Sequence, residues 1–557
     1  MKPPCKTVFI FILGSLLGTA TLHAQDKPAE KKPEPSGTLS EEIEVVRPYK
    51  PVLANAAKIR RNPDLNAAPV FKPTLSYSIL DKKLELNTDI RQLQYQQLAD
   101  QKPTSLSNNY LKLGAGTLKT GLAELYINTD RDEALQAGLF LSHLSAQDKL
   151  PKQQFSAQQL SAFGKTIGNR YTLSGTANFK RLGTYFYGND PLALPNLNPA
   201  KQTLQAIHLQ GEVANRFIQG DKNWSYGLGL EATFFSNATQ GKENNVTLHA
   251  SASKAVSNFT FGINTKLDFS SINQVGGSIA NNLLKANPFA NYSKNDLNLS
   301  LGLNVVQEFG AFSKLSTLPS VEFSAPISGK DIFFIAGLKG DVTKTALIGS
   351  SFINPYLGSN QTIANSTIKS DFFAGISGNF GPIVGFKAKG FFKRINNLPL
   401  FVNNSSNLST FDIIYDAGTS NLTGFNLELN IKVSDVFNLE SSLESTKYNL
   451  ATEEKAWFKP GFTLSTEVRA QVNTKLALSA SLNYQGQSFG KLSAALPQNQ
   501  VVSVKGFLNM GVGANYAVAK KWSAFVQTTN LLDTNYQQYL YYNGFGRQIF
   551  GGFSYSF

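Results

Sequence analysis

Few residues in this 557-residue chain are of types that carry chemistry on their own. Cys5 is the single cysteine, and the four histidines, His23, His143, His208 and His249, lie far apart. No two histidines have the spacing that puts two imidazoles on one helix face, and no Asp-rich loop is present. Neighbouring residues therefore assemble neither a zinc nor a calcium site. Ser142-His143 is the one place where a nucleophile and its base could be drawn, but a histidine at an interface or facing a lumen accounts for it better. Gly511-Val512-Gly513 sits inside a strand pattern, so it is not a phosphate loop. These residues predict no enzyme activity, no cofactor and no metal. More informative are charges at strand spacing: Glu428, Lys432, Glu440, Glu444, Glu467 and Arg469 fall on the polar faces of three consecutive predicted strands. Mixed signs on neighbouring strands can pair across a ladder, which predicts a network that stiffens a wall. The alternative is a charged constriction that selects solutes.

The elements holding those charges are set by composition and periodicity. The chain is 42% apolar, 11% aromatic and only 16% charged, below the roughly 25% of ordinary soluble proteins. Forty Phe and twenty Tyr are far too many for a solvated, disordered chain. No stretch of the mature chain approaches the roughly 18 apolar residues of a membrane-spanning helix. What remains is a protein of strands, each with one apolar and one polar face.

Residues 1–24 read as a signal peptide. Lys2 and Lys6 supply a positive start, Val8 to Leu17 a short apolar core, and Thr21-Leu22-His23-Ala24 a cleavage site before Gln25. Cleavage removes Cys5 and lowers the formal net charge from +14 to +12. That excess favours an anionic membrane surface or an acidic solute, or is simply a solvated surface. No nucleic-acid partner is predicted. Residues 25–107 are a Pro-rich and irregular periplasmic segment. Asp26 to Pro35 is a charged spacer, prolines recur at 48, 51, 63, 69 and 73, and Asp89 to Lys102 could form one short helix.

From there the pattern changes to strict alternation. Leu297, Leu299, Leu301, Leu303 and Val305 alternate with Asn298, Ser300, Gly302 and Asn304. Phe425 to Val433 and Leu476 to Tyr484 repeat the pattern. Tight turns are predicted at Thr129–Asp132, Ile167–Asn169, Gln219–Lys222, Val256–Asn258, Lys294–Asp296, Ser328–Lys330, Phe380–Pro382, Ser434–Asp435, Asn473–Thr474 and Ala519–Lys521. Longer polar connections are predicted at Gly188–Ala200, Ser270–Asn281, Gly349–Ala364 and Leu531–Gly546. Tight turns at one end and long loops at the other mark an outer-membrane barrel. Ten turns joining strands in pairs, with one strand left at each end, give 22, or about 20 residues per strand and connection. The fold class is therefore all-β: a transmembrane antiparallel barrel of about 22 strands over residues 108–557, with a short irregular N-terminal segment. Some strands, such as Ala206 to Ile218, are longer than a membrane needs.

The C-terminal residues carry a family resemblance. Phe553, Tyr555 and Phe557 share one face with Ile549, and the chain ends on an aromatic, which resembles the insertion signal of outer-membrane barrels. Asn530, Leu531, Leu532, Asp533 and Tyr536, followed by Gly546-Arg547, resemble the C-terminal motif of TonB-dependent receptors. The resemblance implies a 22-strand barrel in the outer membrane of a Gram-negative cell, inserted by the barrel-assembly machinery and surrounded by lipid. Receptors of that family carry a folded plug, and the 83 residues before the first strand do not read as one. Glu42-Ile43-Glu44-Val45-Val46 is similar to a TonB box, which would add as a strand to TonB; an irregular segment gripping another periplasmic partner is the alternative. The implied function is passage of a solute, with the lumen closed by residues 25–107 or by a partner. The rival is a plug-less barrel subunit of a secretion, assembly or surface complex with no transport of its own.

Overall fold

The computed structural model describes Gly18–Thr19 and residues 109–557, except for 130–133, 189–197, 216–223, 330 and 493–500. Residues 25–107, with Glu42 to Val46 among them, lie outside the described residues, as does the signal peptide apart from Gly18–Thr19. Those two align parallel to Gln485 and Gly486, a bridge that cleavage after Ala24 would remove.

Twenty-two strands follow one another in antiparallel order. They are β1 (Tyr110–Gly116), β2 (Thr120–Asn128), β3 (Leu135–Gln147), β4 (Gln154–Ile167), β5 (Tyr171–Tyr185), β6 (Lys201–Asn215) and β7 (Ser225–Asn237). Next come β8 (Lys242–Val256), β9 (Phe259–Gln274), β10 (Gly277–Lys294), β11 (Leu297–Gly310), β12 (Lys314–Ser328), β13 (Ile332–Thr343), β14 (Ser366–Phe380) and β15 (Val384–Asn403). The circuit ends with β16 (Phe411–Val433), β17 (Phe437–Asn449), β18 (Phe462–Gln471), β19 (Leu476–Gly486), β20 (Phe507–Ala517), β21 (Trp522–Thr529) and β22 (Gln548–Ser556). β22 pairs back onto β1, Tyr110 opposite Ser556 and Gly116 opposite Phe550, so the sheet closes. Closure leaves no strand edge with unpaired amides, which is what a hydrocarbon surround demands.

Alternation sorts the side chains. On β11, Leu301 and Leu303 are exposed on the outer wall, while Asn304, Val306 and Glu308 are buried inside. β16 repeats this with Phe425 and Leu427 outside. Gln219–Lys222, most of Thr129–Asp132 and Lys330 lie outside the described residues; each of the other predicted tight turns falls between two strands that pair as a hairpin, and both ends of the barrel chain lie at that same end, where Phe557 N–H donates to the Asn109 carbonyl (3.1 Å). At Asn295-Asp296 both residues take left-handed φ, 51° and 63°, as the commonest two-residue hairpin turn requires.

One predicted connection is corrected. Ser270–Asn281 is not a loop: β9 and β10 run through it and turn only at Val275-Gly276. Its polar residues belong to the inner face, where Ser270 donates to Glu243 Oε1 (3.1 Å) and Asn281 to Asn365 Oδ1 (2.9 Å). Polar side chains that find partners inside the barrel look, in sequence, like a solvated loop. Strands of 20 residues in β15 and 23 in β16 far exceed the roughly 9–11 of a membrane-spanning strand.

Candidate functional site

The loop between β13 and β14, residues 344–365, does not project from the barrel. It opens with Lys344, ion-paired to Asp268 on β9, and then forms the short helix α1 (Leu347–Ile353), which the sequence pattern does not announce. Leu347 and Ile363 bury against Leu204 and Ala206 of β6, Phe235 of β7 and Ile272 of β9. Glu243 on β8 accepts the Ile348 N–H (2.9 Å), and Gln202 on β6 donates to the Pro355 carbonyl (3.1 Å). On the far side, Leu357 packs with Phe411 and Ile413 of β16. Gln361 Nε2 donates to the Phe411 carbonyl (3.1 Å), and its Oε1 accepts the Ile413 N–H (2.8 Å). β6 and β16 stand ten places apart in a ring of 22, nearly diametrically opposed. One 22-residue segment fixed to both inner faces must cross the lumen at the loop end.

Other loops meet it there. Tyr187 after β5, Tyr356 in the crossing segment, and Tyr539 and Tyr542 between β21 and β22 form one aromatic cluster with Phe411, Phe401 and Phe458. Tyr356 stacks on Tyr542 with centroids 3.5 Å apart, and Tyr187 meets Tyr542 edge-on at 5.0 Å. Their hydroxyls are used: Tyr187 donates to the Asn543 carbonyl (2.8 Å), Tyr539 to Ile353 (2.9 Å) and Tyr542 to Ser409. Burial drives the Tyr187 and Tyr542 phenols well above the ordinary tyrosine range and pushes Tyr536 up to about 12. The loop after β17 is latched by Asp416, whose carboxylate accepts the N–H groups of Ala451 (2.7 Å), Thr452 (2.7 Å) and Glu453 (2.9 Å). Glu453 in turn accepts from Trp457 Nε1 (2.6 Å) and Lys491 (2.9 Å). Among the described residues, these loops pack and hydrogen-bond to one another across the mouth.

The C-terminal motif builds part of this mouth. Asn530 is buried; its amide donates to the carbonyls of Thr534 and Phe545 (both 2.9 Å), and its side-chain oxygen accepts the Thr534 N–H (3.1 Å). The Asp533 N–H closes a turn onto the Asn530 carbonyl (2.9 Å), and the Asp533 carboxylate accepts the Arg547 N–H (2.7 Å). Leu531 donates its N–H to the Met510 carbonyl (2.8 Å), and Leu532 lies exposed. Tyr536 stacks on Phe507 (4.4 Å), and Gly546 N–H reaches Asp148 across to the β3–β4 loop (2.7 Å). The motif residues thus shape the loop between β21 and β22 from both ends. Phe553 and Phe557 are exposed on the outer wall, and Tyr555 packs on Trp522 (4.8 Å).

The charges singled out in the sequence come together only in part. Glu428 sits opposite Lys387, but Glu440 faces Glu467, and both Lys432 and Arg469 face Asn438. One ion pair within the set is Arg469–Glu467 (3.8 Å), half exposed and on a single strand, a type worth roughly 0–1 kcal/mol. Lys432, Glu467 and Arg469 instead line a cavity of about 560 Å³ with Lys112 and Asn438 near the tight-turn end. Glu444 accepts from Thr446 (3.0 Å). Cross-strand ion pairs form where the sequence did not single them out, as Lys339–Glu322 and Lys393–Asp371 (3.1 Å). Register decides which side chains are opposite, and the sequence pattern alone does not give register.

Ser142 and His143 point to opposite faces: Ser142 is buried, while His143 bonds Ser145 (3.2 Å) and Gln158 (3.0 Å). They cannot act as a pair. His208 bonds Thr233 (2.9 Å) and His249 lies 3.8 Å from Glu231. Among the described residues no three metal-ligating side chains converge.

No protein-family model matches this chain, and no curated protein matches it. Solved structures do. The ferripyoverdine receptor of the Pseudomonas aeruginosa outer membrane, bound to ferripyoverdine, is 13% identical with a TM-score of 0.63, over 82% of this chain and 72% of that one. The FrpB iron transporter of Neisseria meningitidis is 10% identical with a TM-score of 0.63, over 82% of each chain. The ferric-catecholate import receptor Fiu of Escherichia coli K12 is 10% identical with a TM-score of 0.60, over 82% and 83%. All three are TonB-dependent receptors, and at these identities what is shared is the fold of the barrel.

Proposed function

We propose that this chain, a 22-strand barrel with the fold of TonB-dependent receptors, sits in the outer membrane and passes a solute through a lumen gated from its outer mouth by residues 344–365. One observation carries the reading: a single segment is tied to inner faces ten strands apart. A 22-strand lumen left open would breach the membrane barrier, and a segment of this kind closes it from within the barrel domain. Export follows from residues 1–24, and the tight-turn end, where both ends of the barrel chain lie, faces the periplasm. Residues 25–107 then act from the periplasmic side, and Glu42 to Val46 offer TonB an edge strand, as a TonB box does.

Single-channel conductance in planar bilayers tests this, comparing the mature protein and a variant lacking residues 25–107, each with and without residues 346–364 replaced by a short Gly-Ser linker. Gating from the mouth predicts large, frequent openings from the linker variant. If only removal of 25–107 opens the pore, that segment is the seal. If the linker variant is silent in both backgrounds, the mouth segment is a fixed structural member, and the reading as a non-transporting subunit of a surface complex takes over. Replacing Glu42 to Val46 then separates the partners: lost uptake with normal assembly identifies TonB, and lost co-purification identifies another periplasmic protein.

A further inference from the structure

One groove on the barrel wall lies outside the lumen. It has a volume of about 720 Å³ and is lined by Phe392, Arg394, Asn421, Thr423, Lys447 and Asn449. These side chains form two rows across β15, β16 and β17: Phe392, Thr423 and Lys447 are register partners, and so are Arg394, Asn421 and Asn449. Their strand neighbours Phe391, Ile395 and Leu422 bury in the inner core cluster. The alternation of a strand therefore turns Phe392, Arg394 and Thr423 outward.

Height on the wall matters. Arg394 is the eleventh residue of β15 counted from the tight turn, and Lys447 the eleventh of β17. Tilted strands cross the hydrocarbon in roughly 9–11 residues, so both cations stand at the upper edge of the apolar band. Directly below them the wall is apolar and exposed: Phe372, Phe392, Phe425 and Leu427. Arg181 stands at the same height on β5, but its guanidinium is occupied by Gln158 Oε1 (2.8 Å). Among the described residues neither Arg394 nor Lys447 has a carboxylate in ion-pair reach. A third cation, Lys369 on β14, flanks them and donates to Thr419 (3.1 Å).

Two unneutralised cations and two amides set just above an aromatic, lipid-facing wall fit an amphiphile with an anionic head and acyl chains. We infer that this groove binds the phosphorylated headgroup of an outer-leaflet lipid, with Arg394 and Lys447 on the phosphate, Asn421 and Asn449 on its oxygens or the adjoining sugar, and the acyl chains against Phe392, Phe425 and Leu427. Arg394 supplies two parallel donors to one phosphate and Lys447 a point charge. The inference rests on the outer-membrane reading of the barrel.

The test uses the full mature protein in a mild detergent, titrated with diphosphoryl lipid A and followed by native mass spectrometry and by the unfolding midpoint. Wild type retains lipid A and its midpoint rises. The double variant Arg394→Gln/Lys447→Gln binds at least about tenfold more weakly, while Lys475→Gln/Lys521→Gln, with the same charge change at the tight-turn end, binds as wild type. Equal binding by all three proteins overturns the groove, as does an equal midpoint rise from inorganic phosphate alone. A chain that stays soluble without detergent defeats the membrane reading itself, an outcome distinct from a barrel that inserts but ignores lipid A.

Discussion

Gln361→Ala is the smallest change that should loosen the mouth. Gln361 is 3% exposed, and its side chain ties the crossing segment to β16 through the Phe411 carbonyl and the Ile413 N–H. The Phe411 carbonyl keeps a second donor, the Gly358 N–H at 2.9 Å, so its loss is one ordinary hydrogen bond. The Ile413 N–H, on a residue 2% exposed, would face a methyl group and no acceptor. A buried orphan costs about 1–3 kcal/mol and a lost hydrogen bond about 0.5–1.5 kcal/mol. The closed arrangement should therefore weaken by about 1.5–4.5 kcal/mol, a shift of about 10-fold to 1,600-fold toward release. Single-channel recording reads that shift as open probability. The variant should be recorded with and without residues 25–107, so that a seal from the other end cannot mask it, and its folding confirmed by heat-modifiable mobility. Gln361→Ala that folds yet stays as silent as its parent in both backgrounds refutes the mouth as the gate.

Three further outcomes follow from the same contacts. Asp416→Asn halves the acceptor capacity that holds the N–H groups of Ala451, Thr452 and Glu453, so limited proteolysis should cut within 450–461 at least about tenfold faster. Asn530→Ala removes both carbonyl anchors of the loop between β21 and β22; the unfolding midpoint should fall by a few degrees, about 1–3 kcal/mol, with strand content by circular dichroism retained. The mouth should also open in alkali. Burial raises the phenols of Tyr187, Tyr536 and Tyr542, Tyr536 to about 12, above the ordinary value of about 10. A released mouth loses these protons first, so closure is fully stable below about pH 10 and weakens as pH climbs from there through about 12. Open probability should rise over that window together with the ultraviolet absorbance of tyrosinate, and a flat response would show that the tyrosines do not hold the mouth.

Much of this barrel is legible in the sequence because its signals are local. A side chain points in or out by the parity of its position, and turn residues such as Asn295-Asp296 bend the chain without help from elsewhere. Strand number and the ten hairpins follow from these, and the aromatic face of β22 is visible as Phe553, Tyr555 and Phe557. Only the tertiary structure decides what depends on contacts between distant strands. Ser270 to Asn281 reads as a loop because its polarity has no visible partner; Glu243 and Asn365, near and far in the chain, supply one. The mixed charges of β16 to β18 suggest pairing, yet the register sets Glu440 against Glu467. Gly349–Ala364 reads as any polar connection, and the passage of residues 344–365 between opposite walls is fixed by Leu204, Ile272 and Phe411. Periodicity specifies which face a residue takes; what waits on that face is set by closing the ring.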